Sequence, residues 1–87
     1  MTNPITVTVR YFASIREALG TGAEECTTTA STLGALRDEL IARGAASADV
    51  LARGRAVRMA HNQVLCDESV SLAAGDEVAF FPPVTGG

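Results

Sequence analysis

Lysine and tryptophan are absent from the 87 residues, and His61 is the lone histidine. All seven basic residues are arginine. Without lysine there can be no Schiff-base lysine, no P-loop lysine and no isopeptide acceptor within the chain. Two cysteines and one histidine are too few for a Cys₄ or Cys₂His₂ zinc site or a four-cysteine iron–sulfur cluster. Bases fall short of acids, 7 against 10, for a formal net charge of −3. A nucleic-acid partner is not expected, because phosphate contacts need clustered cations. No apolar run approaches the roughly 18 residues of a membrane span. The N-terminus lacks the basic region and continuous apolar stretch of a secretory signal. The expected compartment is therefore the cytoplasm, where Cys26 and Cys66 are expected as reduced thiols. The length allows one small domain, and 47% hydrophobic residues suit a packed globule.

What is present reads as a short α+β chain. Ile5 to Tyr11 alternates apolar and polar residues, with Ile5, Val7, Val9 and Tyr11 on the inward parity. Phe12 falls on the other parity, an exposed aromatic at a strand end. Ala13–Leu19 is expected as a helical turn closed by Gly20 and Gly22, and Glu24–Thr29 as a second strand. Ser31 or Thr32 caps the main helix, whose apolar stripe is Leu33, Leu36, Leu40 and Ile41. Glu39 and Arg43 stand four apart on it, and Gly44 follows as a C-terminal stop. Ser47–Arg53 is a second short helix. Strands follow at Ala56–Ala60, Val64–Cys66 and Glu77–Phe81, with turns at Asn62-Gln63 and Gly75-Asp76. On the last strand Val78 and Phe80 share one face and Phe81 lies on the other. This order predicts a ubiquitin-like β-grasp. One main amphipathic helix packs on a mixed sheet of four or five strands, whose first and last strands are parallel neighbours. Residues 1–81 would be the domain and 82–87 a flexible extended tail.

The tail reads Pro82-Pro83-Val84-Thr85-Gly86-Gly87. Two terminal glycines carry no Cβ, so the backbone can thread a narrow tunnel into another active site. The Pro-Pro stem favours an extended conformation that projects the tail and lowers its ordering cost. The reactive group would be the Gly87 carboxylate, inert until ATP adenylates it and then open to attack by sulfur. No neighbour of Gly87 in sequence can supply acid or base catalysis, so catalysis would come from partners. The plain alternative is an ordinary frayed terminus.

Nearly the whole chain resembles the small subunit of molybdopterin synthase. The similar segments are Val9-Arg10-Tyr11-Phe12-Ala13, Arg16-Glu17-Ala18-Leu19-Gly20, Thr32-Leu33 with Leu36, Asn62-Gln63, and the ungapped run from Gly75 to Gly87. The resemblance implies a β-grasp sulfur carrier with no bound cofactor. Gly87 would be adenylated at the expense of ATP by an adenylyltransferase resembling ubiquitin-activating enzymes, then converted to a thiocarboxylate. With Val84, Thr85 and Gly86 it would enter the large subunit of a heterotetramer. There it would give sulfur to cyclic pyranopterin monophosphate, forming the dithiolene of molybdopterin. A hydrophobic docking patch would fall on Phe12, Leu65 and Phe81. Other readings are a thiamin thiazole sulfur carrier, which is usually shorter and lacks the Phe-Phe-Pro-Pro-Val stem, a ubiquitin-like modifier, or an inert interaction module.

Four acids and no base lie between residues 64 and 87, which reads either as a solvated loop face or as an acidic docking third facing a basic partner. His61 is expected to be exposed and structural, without a partnered acid. Cys66 is expected in the core, and Glu24-Glu25 on opposite sides of a strand.

Overall fold

A computed structural model describes residues 3–83. Its five strands are β1 (Ile5–Tyr11), β2 (Ala23–Thr28), β3 (Arg58–His61), β4 (Val64–Cys66) and β5 (Glu77–Phe81). Its helices are α1 (Ala13–Leu19), α2 (Leu33–Ile41) and α3 (Ala45–Leu51). The sheet order is β2-β1-β5-β3-β4, with β1 and β5 parallel and every other pair antiparallel. β5, the last strand in sequence, is thus the middle strand in space, as the parallel pairing of first and last strands required.

Period-two alternation decides which face of the sheet is covered. Val7, Val9 and Tyr11 of β1 and Val78 and Phe80 of β5 are buried against Leu33, Leu36 and Leu40 of α2. Ile15 of α1, Ala30 before α2 and Leu51 of α3 complete the cluster. Each large aliphatic side chain buried there contributes about 1.5–3 kcal/mol. Tyr11 and Phe80 stack with ring centroids 6.3 Å apart. The Tyr11 hydroxyl donates to Glu24 Oε2 at 2.8 Å, so its polar tip is satisfied. Burial, then that carboxylate, pushes the phenol well above its ordinary pKa.

Thr32 caps α2, its hydroxyl accepting from the Ala35 N–H at 3.2 Å. The helix passes into Ala42 rather than stopping at Gly44, which instead precedes α3. The Glu39–Arg43 spacing is not used as a pair along the helix. Glu39 accepts from the buried Thr28 hydroxyl at 2.6 Å, and Arg43 bonds Glu24 at 2.9 Å, so α2 and the turn after it are tied to β2. The third strand begins at Arg58, later than Ala56.

Arg37 belongs to α2 but not to its apolar stripe, yet it is 3% exposed. Its Nε donates to the Leu51 carbonyl at 2.7 Å, Nη2 to the Ala52 carbonyl at 3.0 Å, and Nη1 to Glu68 Oε2 at 3.3 Å. One guanidinium thus ties α2, the end of α3 and the segment before β5. Gly34 lies beside the same acid: a Cβ there would come within 2.9 Å of Glu68 Oε1 and 3.2 Å of the Glu68 carbonyl oxygen. The glycine's cost to the helix is offset by this close approach.

Candidate docking face and tail stem

The helix-free face of the sheet is set by strand register. Arg10, Ala79, Ala60 and Leu65 form one cross-strand row over β1, β5, β3 and β4. In the next row Phe81 opposes Arg58. Phe12 continues β1 beyond Tyr11, with extended φ and ψ of −126° and 155°, and its N–H donates to the Phe80 carbonyl. Its side chain therefore takes the parity opposite buried Tyr11, and Phe12, Phe81 and Leu65 share one face.

Local geometry holds each of them there. The chain leaves β1 for α1 at Ala13, where φ is 51°. That left-handed conformation costs an alanine about 1 kcal/mol and breaks the strand immediately after Phe12. Asn62 and Gln63 have φ of 50° and 70°, giving a two-residue hairpin whose twist matches its strands. This turn sets the β3–β4 register, which places Leu65 opposite Ala60. Leu65 is 62% exposed and Phe12 43%, whereas Phe81 is half-buried. Ala60 and Ala79, at the middle of the face, are buried yet lie outside the core cluster. Small side chains in the centre and large apolar ones around them make a shallow apolar surface.

Pro82 and Pro83 follow β5 directly, so the stem leaves the sheet between Phe12 on one side and Arg58 on the other. Val84, Thr85, Gly86 and Gly87 lie outside the described residues.

The four acids after residue 63 do not form a free acidic surface. Glu68 pairs with Arg37 and Arg53, and Glu77 with Arg10 at 3.4 Å. Asp67 accepts from the Ser69 backbone at 2.8 Å. Asp76 takes the ring N–H of His61, with Nε2 to Oδ2 at 2.6 Å, and also the Ala73 backbone N–H at 2.8 Å. These bonds, His61 first, hold the Asp76 carboxyl below the usual carboxylate range. His61 is therefore half-buried and partnered by an acid fifteen residues away in sequence, not exposed and alone. Cys66 is half-buried, packed against the core from the sheet edge. Burial raises its thiol pKa, and Asp67 adds to the rise.

Residues 9–87 match the ThiS family, which is nearly the whole chain including the tail. The chain belongs to the ThiS family. It is 43% identical over 81 residues to the molybdopterin synthase sulfur carrier subunit of Escherichia coli, covering 93% of this chain and 99% of that one. The crystal structure of SAMP1 from Haloferax volcanii is similar at a TM-score of 0.75 and 25% identity, covering 94% of this chain and 99% of that one. A complex of subunits 1 and 2 of molybdopterin-converting factor from Helicobacter pylori contains a chain 30% identical to this one. Its TM-score is 0.65, with 95% of this chain and 100% of that chain covered. The ubiquitin-like β-grasp expected from element order is the fold of this family member.

Proposed function

We propose that this chain is the sulfur carrier subunit of molybdopterin synthase, with the carboxylate of Gly87 as the group that carries sulfur. The 43% identity to the Escherichia coli carrier subunit over 81 residues is the observation that bears most weight. The stem's exit beside Phe12 and Phe81 supports it, because a partner that grips this face also receives the tail. That partner is the large subunit, in a heterotetramer; the Helicobacter pylori complex of subunits 1 and 2 supports such a pairing. A ubiquitin-activating-type adenylyltransferase consumes ATP to form the Gly87 acyl-adenylate. Sulfide-level sulfur attacks the acyl carbon and displaces AMP to leave the thiocarboxylate, and the large subunit directs that sulfur to cyclic pyranopterin monophosphate. Val84, Thr85 and Gly86 form the segment that enters the large subunit. The carrier holds no cofactor of its own and works in the cytoplasm. No helix among the described residues is long and apolar enough to cross a membrane.

Incubating the chain with ATP, the activating enzyme and a sulfur source tests this. Intact-mass spectrometry should show a gain equal to the replacement of one oxygen by sulfur, localised to Gly87 by fragmentation. No gain, or a gain that maps to methionine or cysteine oxidation, overturns the assignment.

Docking through the apolar face has its own test. Phe81→Ala should weaken association with the large subunit by about 2 kcal/mol, roughly thirtyfold. Its unfolding free energy should fall by less, because Phe81 lies outside the core cluster. A larger loss in urea unfolding with unchanged affinity would make Phe81 a packing residue only.

A further inference from the structure

The arginines are not equally engaged. Arg10, Arg37, Arg43, Arg53 and Arg55 each form an ion pair among the described residues. Arg16 and Arg58 are exposed and form none there, and of these two only Arg58 lies on the helix-free face, in register opposite Phe81. Adjacent strands are only about 4.8 Å apart, so a partner that covers Phe81 must also cover Arg58. Desolvating an arginine without an anion is strongly unfavourable, because its charge loses water and gains nothing in return. Arg10, on the same face, is already neutralised by Glu77.

We infer that Arg58 completes the docking face, and that the large subunit sets a carboxylate against it at the edge of an apolar groove. The inference rests on the docking assignment above and adds the partner's chemistry. A carboxylate fits best, since it takes two parallel guanidinium N–H bonds and cancels the charge. It also reverses the charge polarity suggested by counting acids along the sequence. Each acid of the last third has a partner within the domain, and the cation on this face without an ion pair among the described residues is the feature left for a partner.

The full chain and the large subunit should be titrated by calorimetry over a series of salt concentrations. Arg58→Gln should weaken association by about thirtyfold and flatten the dependence of affinity on salt. Arg58→Glu should weaken it further. Arg58→Lys should recover the salt dependence and only part of the affinity, because an ammonium cannot make the paired bonds. All three variants should keep the melting temperature of the parent, since Arg58 is outside the core. Wild-type affinity and salt dependence in Arg58→Glu, with Phe81→Ala still impaired, overturn the inference and leave docking through this face standing. If Phe81→Ala also binds as the parent does, the docking assignment itself falls, and the inference with it.

Discussion

Removal of Gly87 is expected to abolish sulfur loading while leaving the melting temperature of the domain unchanged. Among the described residues the core cluster is complete by Phe80 and the sheet by Phe81, so the expected source of stability lies upstream of the tail. The chemistry has no such margin. A chain shortened by one residue ends about 3.5 Å short of the position that Gly87 reaches. A displacement of only about 1 Å from the reacting geometry can cost a hundredfold in rate. The truncated carrier should therefore show no oxygen-to-sulfur mass gain under conditions that load the parent fully. Undiminished loading would remove Gly87 from its assigned role, whereas a large drop in melting temperature would show that the tail supports the fold.

Arg37→Ala is expected to destabilise the domain by about 3–5 kcal/mol in urea unfolding. Most domains are stable by only about 5–15 kcal/mol, so this one change could consume much of the total. The reason is what the substitution leaves behind. The carbonyls of Leu51 and Ala52 lose their donors, and Glu68 keeps Arg53 as its remaining cation. Burial lowers the Arg37 pKa while the Glu68 carboxylate pulls it back up, so the charge is held by its partners rather than by water. Arg37→Lys should be nearly as damaging, since one ammonium cannot reach two carbonyls and a carboxylate from the same stem. A loss below about 1 kcal/mol in the alanine variant would mean that the site relaxes and rehydrates at little cost.

Much of this was legible in the chain itself. Alternation in β1 and β5 separated Tyr11 from Phe12 and Phe80 from Phe81, because successive strand residues face opposite ways. The same logic identified the covered stripe of α2, and Thr32 declared its start. Asn62-Gln63 marked the hairpin, because asparagine at a turn tolerates positive φ. Composition, the Pro-Pro stem and the closing glycines pointed to a carrier rather than a free-standing catalyst. Where the reading failed, it did so at charged residues. A pair four apart on a helix looks complete in sequence, yet Glu39 turned to the buried Thr28 hydroxyl and Arg43 to Glu24, both on β2. His61 met Asp76 only because β3 and β5 are antiparallel neighbours.

The sequence by itself determined the elements and the faces they present, since these follow from local periodicity and residue type. The tertiary structure alone decided which charges are paired inside the fold and which, among the described residues, are not. That division depends on distances across the sheet, and no spacing along the chain encodes them. The lysine-free arginine set shows the difference. Its composition excluded whole classes of chemistry at once, but only the fold showed that Arg37 is a buried clasp and that Arg58, opposite Phe81, has no ion pair among the described residues.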